Sequence, residues 1–401
     1  MNYYGFNPFI YAVSNDKEGL LYDLLDGDVY QIPAHFVEIF EKNRYTAYES
    51  LLHKCKQMEI GEDQLKTFLN DGMKGGMILE FPKPYWRNEV KTPTETGFNS
   101  PEKSIPSEFF NVWLQPTGKC DLTCEFCNSY VNCACHTNGD QWSENQLNNL
   151  LADLWRYKGM LYHISIHGGN PLLYPYLDTL LTGLEKLEPL AIKLVLPASS
   201  SPDSYKTKVQ EIRSRADSKV FLSYNVYANH WNTHALIDQL LPHSEINLLL
   251  DSNLENEIDE AALKDKSFVV SRQYMLKLDS SNIQWYKEKI NEDFFESLVY
   301  HNFFIRKHLH KCWGCSFAIN SKGDLKPCLW SDQVFSPWKE GEISHLLIGD
   351  SEITFFYADN SLENIETCKD CIYRYGCKEC RVTAEFVASK RMAKNPLCLQ
   401  G

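Results

Sequence analysis

This 401-residue chain lacks a surplus of basic charge: 40 Lys and Arg stand against 53 Asp and Glu, a formal net charge of −13. A general nucleic-acid binder shows the opposite balance, and so does a protein held on anionic lipid, so neither partner is expected. No apolar run approaches the ~20 residues that a membrane helix requires. The opening residues, MNYYGFNPFIYAVSNDKEG, lack the basic stretch followed by a long apolar run that marks a secretory signal, so the expected location is cytoplasmic. There is no repeat of fixed period and no low-complexity tract. Cysteine is nearly absent from the first hundred residues. Only Cys55 occurs there, on a helical pattern with Leu51 and Leu52, and it reads as a small buried hydrophobe.

Elsewhere cysteine is abundant. Of 14 in the chain, five lie between Cys120 and Cys135 and eight between Cys312 and Cys398. In a reducing compartment, thiols clustered in this way hold metal rather than disulfides. Hydrophobic residues at 43% and charged residues at 23% describe a chain able to bury a core, and the length suggests two to three domains.

Residues 1–88 read as a small α+β domain. FIYAV (9–13) has the pattern of a strand, LLYDLL and VYQI flank a turn at Asp26-Gly27-Asp28, three short helices follow at 34–42, 47–57 and 62–72, and MILEF (77–81) closes the unit. Residues 89–109, with three prolines and many Thr, Ser and Glu, read as a polar linker. From 110 to about 305, strand patterns at 111–115, 163–167, 191–196, 220–228, 245–251 and 267–277 alternate with helical ones. One helix opens at Ser143 with Gln146 as its capping-box partner and carries Leu147, Leu150, Leu151, Leu154 and Trp155 on one face. The next uses Leu177, Leu180, Leu181 and Leu184. Such alternation specifies a parallel sheet with helices outside. Six units are too few for a closed eight-stranded barrel, so the expected fold is α/β, a partial (β/α)6 TIM-like barrel with its site at the carboxyl ends of the strands. Residues 306–401 are cysteine-dense, poor in periodic pattern and expected to fold around metal.

After the first strand of the core, the spacing Cys120-x3-Cys124-x2-Cys127 carries an aromatic, Phe126, just before its last cysteine. Three thiolates this close in sequence suit three irons of a 4Fe–4S cube, with the fourth iron left open to a substrate or cofactor. The alternative from spacing alone is a structural zinc with a distant fourth ligand. At the end of the second strand stands His167-Gly168-Gly169-Asn170-Pro171. With the six strand–helix units, these features resemble the radical S-adenosylmethionine (radical SAM) superfamily, whose second-strand motif is Gly-Gly-Glu-Pro.

The resemblance implies that Cys120, Cys124 and Cys127 hold a 4Fe–4S cluster and that its open iron takes S-adenosylmethionine. It also implies that Gly168, Gly169, Asn170 and Pro171 line the methionine end of that cofactor. Asn170 departs from the family's Glu, keeping an acceptor oxygen and losing the charge. Ser223 and Asn225 on the fourth strand are candidates for ribose or adenine contacts, although alternation places them on the barrel face of any such strand. Cys133 and Cys135 remain open between a redox pair, extra ligands and plain loop residues. No role is assigned to His136 or His167.

The final ninety residues read Cys312-x2-Cys315, Gly323-x4-Cys328, Cys368-x2-Cys371-x5-Cys377-x2-Cys380 and Cys398. Eight thiols fill two four-ligand sites. Two structural zincs are one reading, but zinc ribbons bring their pairs within ~20 residues, and here 39 residues separate Cys328 from Cys368. The pattern resembles the SPASM extension behind many radical SAM cores, with the last Cys-x3-Cys shortened to Cys-x2-Cys. That resemblance implies one auxiliary 4Fe–4S cluster on Cys312, Cys315, Cys328 and Cys380 and another on Cys368, Cys371, Cys377 and Cys398, so three clusters in all. In sulfatase-maturing relatives an Asp follows the Gly-x4-Cys cysteine. Leu329 stands there in this chain and disfavours that activity.

By pattern and position, residues 1–88 resemble the winged-helix-like leader-recognition element of ribosomal-peptide (RiPP) maturases; a structural appendage is the alternative. The implied function is a radical SAM peptide maturase, an oxidoreductase. It would reductively cleave S-adenosylmethionine and abstract a hydrogen from a leader-bearing precursor peptide, forming a side-chain cross-link, with a flavodoxin- or ferredoxin-type electron donor. Epimerisation, radical oxidation of a protein or small molecule, and a non-catalytic peptide-binding relative are the alternatives.

Overall fold

The computed structural model describes residues 2–40, 44–85, 109–121, 139–197, 203–214, 219–227, 244–250, 269–274, 282–291, 295–314, 316–338, 343, 352–388 and 391–398. The chain divides into two compact units. The first comprises Met1–Ser104, Asn291–Lys311 and Phe355–Glu379; the second comprises Ile105–Ile290, Cys312–Thr354 and Cys380–Gly401. No helix among the described residues is long and apolar enough to cross a membrane.

The first unit begins with β1 (Tyr3–Phe6), β2 (Ile10–Ser14), β3 (Glu18–Asp23) and β4 (Val29–Pro33). There follow α1 (Ala34–Glu38), β5 (Thr46–Ala47), α2 (Tyr48–Gln57), α3 (Glu62–Lys74) and β6 (Ile78–Phe81). β2, β3 and β4 form one antiparallel sheet, and β5, β1 and β6 form another. The β2–β3 turn is fixed by Asn15, whose Oδ1 accepts from the backbone N–H groups of Lys17 and Glu18. The expected Asp26-Gly27-Asp28 turn joins β3 to β4, with Gly27 at φ +82°, a conformation that favours glycine. β1 and β5 escape the sequence patterns. β1 is four residues long and includes Gly5, and it gains its partners from β5 and β6, tens of residues away. Leu51, Cys55, Leu65, Leu69 and Ile78 close the core under the helices with Leu21 and Phe36. Burial there pushes the Cys55 thiol up.

The second unit holds a nine-stranded sheet. β7 (Phe109–Thr117), β8 (Leu161–Gly168), β9 (Ala191–Pro197), β10 (Val220–Tyr227), β11 (Glu245–Leu250) and β12 (Val269–Tyr274) lie side by side in chain order. Every neighbouring pair among them is parallel. These are the six expected strands. α4 (Glu144–Trp155), α5 (Leu177–Glu185) and α6 (Asp203–Arg213) occupy the first three crossovers. α4 starts at Ser143 as expected: the Gln146 N–H donates to Ser143 Oγ at 3.3 Å, and the Ser143 N–H donates to Gln146 Oε1 at 2.9 Å. Val112, Leu114, Ile164, Ile166, Ile192 and Leu194 are buried, as are Leu147, Leu150, Leu154, Leu180, Leu181 and Leu184 of the helices. The alternate positions of the strands are largely polar, so the sheet has one apolar face and one polar face.

On the far side of β7 the sheet continues with β13 (Ser316–Ile319), parallel to β7, and with β14 (Asp324–Lys326) and β15 (Ser336–Pro337), which are antiparallel. Gly323, at φ +87°, turns β13 into β14.

Leu150 is fully buried beneath α4. Leu150→Ala removes its buried methyl groups and leaves a cavity, at a cost of about 2–5 kcal/mol. A lowered first thermal transition by circular dichroism is the expected result.

Candidate metal and cofactor site

Parallel pairing of β7 and β8 brings their carboxyl ends together, and both candidate motifs stand there. Thr117 pairs with Gly168. The Gly169 N–H donates to the Thr117 carbonyl at 3.3 Å, and the Asn170 N–H donates to the Lys119 carbonyl at 2.7 Å. A Cβ on Gly168 would lie 2.2 Å from the Thr117 oxygen. A Cβ on Gly169 would lie 2.2 Å from the Lys119 oxygen and 2.9 Å from Cys120 Cβ. No side chain fits at either position. The two glycines therefore seat the segment directly against the start of the cysteine loop.

That loop is closed at its base. The Gly118 N–H donates to the Asp140 carbonyl at 2.7 Å, and the Trp142 N–H donates to the Pro116 carbonyl at 2.9 Å. Thr117 also bridges Gln141. Cys120 is half-buried just above this closure. Cys124, Phe126, Cys127, Cys133, Cys135 and His136 lie outside the described residues.

Asn170 is buried and fully engaged. Its Nδ2 donates to Asp121 Oδ1 at 3.0 Å, and its Oδ1 accepts from the Leu172 N–H at 3.1 Å. Its acceptor oxygen thus caps the short turn that begins at Pro171, while its donor ties that turn to the residue after Cys120. Glu cannot donate to Asp121, which gives the Asn a local reason.

Ser223 and Asn225 face the same side of β10, and both accept from Asn247 Nδ2, at 2.8 and 3.1 Å. Asn247 of β11 pairs with Asn225 and is the hub of this polar row, a role that only the register reveals. Lys193 and Glu245 form an ion pair at 2.5 Å on this face. His167 also points to it, beside the Trp330 ring at 6.0 Å between centroids. Burial first, and then the Lys193 ammonium, push the His167 imidazole down to about 3.

The second group of thiols is positioned by the β13–β14 hairpin. β14 runs antiparallel to β13, pairing Ala318 with Lys326 and Ile319 with Leu325, and so carries the chain back toward the Ser316 end of β13, with Cys328 two residues past the end of β14. The hairpin therefore returns Cys328 to the end where Cys312 begins; Cys315 itself lies outside the described residues. Because β13 runs parallel to β7, with Ser316 beside Asn111, this end is opposite the Cys120 end of β7. Cys328 is buried, and burial, followed by the nearby Cys380, pushes its thiol up to about 12. Its sulfur nonetheless receives donors from the Trp313 side chain and the Ser331 and Trp330 backbone. Donors of this kind favour the thiolate, the form in which a cysteine binds metal. Cys380 and Cys398 belong to the same unit, linked through Asn395, whose Nδ2 donates to the Cys380 carbonyl at 2.8 Å.

Cys368, Cys371 and Cys377 belong to the first unit. They sit on successive turns, with the Cys371 N–H donating to the Cys368 carbonyl at 2.9 Å. A small cavity beside Cys377 is lined by Arg306, His310, Lys311, Arg374 and Glu379. His310 Nε2 and Glu379 Oε1 are buried there 3.2 Å apart. These residues come from two distant segments, so no sequence spacing announces them. Among the described residues no three Cys, His, Asp or Glu side chains are gathered as a metal site. The donor set, thiols on turns with backbone and indole donors at Cys328, suits iron–sulfur ligation.

No protein-family model matches the sequence, and no curated protein matches it. Among solved structures, Streptococcus suis SuiB bound to precursor peptide SuiA is similar at 13% identity and TM-score 0.47, covering 99% of each chain. SuiB bound to S-adenosylmethionine is similar at 12% identity and TM-score 0.44, over 98% of this chain and 97% of that one. Histidine-tagged anSMEcpe with bound AdoMet is similar at 14% identity and TM-score 0.48, over 72% of this chain and 93% of that one.

Two outcomes follow from the geometry. Gly169→Ala drives a methyl group into the Lys119 carbonyl and Cys120, so the contact between the strand ends is expected to open and the thermal midpoint to fall, read by circular dichroism. His167 stays neutral in the folded chain, whereas the unfolded chain takes up a proton below about pH 6.5. Protons therefore favour unfolding, and stability drops as the pH falls from about 6.5 toward 3. In melts of the metal-free protein, wild type is expected to lose about 1–2 kcal/mol more than His167→Gln between pH 7.5 and 5.

Proposed function

We propose that the chain is a radical S-adenosylmethionine peptide maturase. The observation that carries this reading is the contact between the Gly168–Asn170 segment and the base of the Cys120 loop, sealed by the 2.7 Å bond from the Asn170 N–H to the Lys119 carbonyl. It brings Cys120, the first thiol of the open-iron spacing, and the glycine motif together at the carboxyl ends of adjacent parallel strands, the edge where such sheets hold their ligands.

A 4Fe–4S cluster on Cys120, Cys124 and Cys127 would supply the electron that cleaves S-adenosylmethionine to a 5′-deoxyadenosyl radical. The residues of the chain supply the setting. Gly168 and Gly169 keep the strand ends bare of side chains. Asn170 and Asp121 hold the turn against the loop, while Pro171 and the capped Leu172 N–H fix its exit. The polar row of Ser223, Asn225 and Asn247 offers hydroxyl and amide groups for the sugar or base of the nucleoside. Phe126 stands next to the last cysteine of the loop and would shield the cluster.

In this reading the substrate is a leader-bearing precursor peptide recruited by residues 1–88, where the edges of the β2–β3–β4 sheet suit strand addition. Hydrogen abstraction from one side chain, attack of that carbon on a second, and loss of one proton and one electron give a cross-link. Auxiliary clusters held by Cys312, Cys315, Cys328 and Cys380 and by Cys368, Cys371, Cys377 and Cys398 would accept that electron. A flavodoxin- or ferredoxin-type protein in the cytoplasm would supply the reducing electron.

Anaerobically reconstituted protein is expected to hold about 12 irons, as three cubane clusters require. With dithionite and S-adenosylmethionine it should release 5′-deoxyadenosine, read by chromatography, and Cys120→Ala should abolish the release. Iron-loaded protein that yields none overturns the reading. With the precursor peptide, loss of two hydrogens marks cross-linking, whereas unchanged mass with solvent deuterium at a Cα marks epimerisation.

A further inference from the structure

The β2–β3–β4 sheet packs apolar side chains on both faces, with β3 buried between them, which is unusual for a small antiparallel sheet. Ile10, Ala12, Leu21, Tyr30 and Ile32 turn to the core under α1–α3. Tyr11, Val13, Leu20, Tyr22, Leu24 and Val29 turn to a second core with Leu298, Phe303, Ile372 and Tyr375. Three of the side chains between Cys371 and Cys377 are thereby engaged with the N-terminal strands. The Tyr22 hydroxyl donates to the Ile372 carbonyl at 2.5 Å. The Tyr373 hydroxyl donates to Glu18 Oε2 at 3.3 Å. The Tyr375 ring packs edge-on against Tyr11 and Tyr22, with centroids at 5.5 and 5.7 Å, and tilted against Phe303 at 4.8 Å.

The cysteine segment has little structure of its own. Its internal bonds are single turns, from the Arg374 N–H to the Cys371 carbonyl at 3.3 Å and from the Cys377 N–H to the Arg374 carbonyl at 3.4 Å. Its far end is held from outside too: the Glu296 N–H donates to the Gly376 carbonyl at 2.9 Å, and Phe295 bridges Cys377. A Cβ on Gly376 would lie 2.2 Å from the Phe295 ring. A turn-rich segment of this kind takes its shape from what it packs on.

We propose that the β2–β3–β4 sheet is an intramolecular scaffold for Cys368, Cys371 and Cys377, so that metal loading at these thiols depends on the second face of the sheet. The proposal rests on the iron–sulfur reading above. It gives residues 1–88 a task besides peptide capture. A peptide strand added at an edge of this sheet would join the element that shapes the auxiliary thiols.

The test uses the full chain. Tyr22→Ala strips the face toward the cysteines, and Leu21→Ala strips the opposite face of the same strand. After anaerobic reconstitution, iron is counted, and alkylation of each cysteine is read by mass spectrometry. Tyr22→Ala is expected to lose roughly a third of the wild-type iron, one cubane of three, with Cys368, Cys371 and Cys377 becoming alkylated. Leu21→Ala should keep its iron. Tyr22→Phe keeps the ring and removes only the bond to Ile372; it should speed Cys371 alkylation several-fold in a chain that folds. Full iron and protected thiols in both Tyr22 variants overturn the proposal, as does equal iron loss in Leu21→Ala. Wild-type protein that takes up no metal overturns the iron–sulfur reading together with it.

Discussion

Two strand ends approach more closely here than any side chain allows. At Gly168 and Gly169 the backbone of β8 comes within hydrogen-bonding distance of the last residues of β7 and the first of the cysteine loop. Everything at the candidate site hangs on that approach. It lies against the loop base that Gly118, Asp140 and Gln141 close, it buries Asn170, and it sets the Pro171 turn beside Cys120. A parallel sheet favours such convergence because successive strands deliver their following loops to one edge. Glycine converts the shared edge into contact.

The sulfur atoms of Cys328 and Cys55 are both buried but in opposite surroundings. Thiols that hold metal need to be deprotonated in a place where burial opposes charge. Cys328 displays this conflict plainly. It is buried and its thiol is pushed up, yet indole and backbone donors converge on the sulfur. Cys55 is the contrast: its thiol is also pushed up by burial, but it sits among Leu51, Leu65 and Leu69 and serves as packing. Burial alone leaves the two thiols alike; the donors around Cys328 set it apart.

The N-terminal sheet shows how one element serves two cores. Alternation along β3 sends Leu21 one way and Leu20 and Tyr22 the other, a consequence of the two-residue period of a strand. Apolar side chains therefore pack on both faces of β3.

Much of this was legible from the residues. The six strands of the second unit, the Ser143–Gln146 capping box, the Asp26-Gly27-Asp28 turn and the helices at 48–57 and 62–74 are local in origin, and local patterns announced them. The glycine pair belongs here too, because the close approach of two strand ends requires glycine at Gly168 and Gly169. What the sequence left open is non-local. β1 has partners only through β5 and β6. Asn247 becomes a hub only once register sets it beside Ser223 and Asn225. Asn170 reads as a weakened acidic residue until Asp121 is seen across from its amide. Tyr11 and Tyr22 look like ordinary strand residues until they meet Tyr375, more than 350 positions away. Periodicity and spacing report what a residue does within its own element. Contacts between distant segments depend on how those elements pack, and the tertiary structure alone decides that.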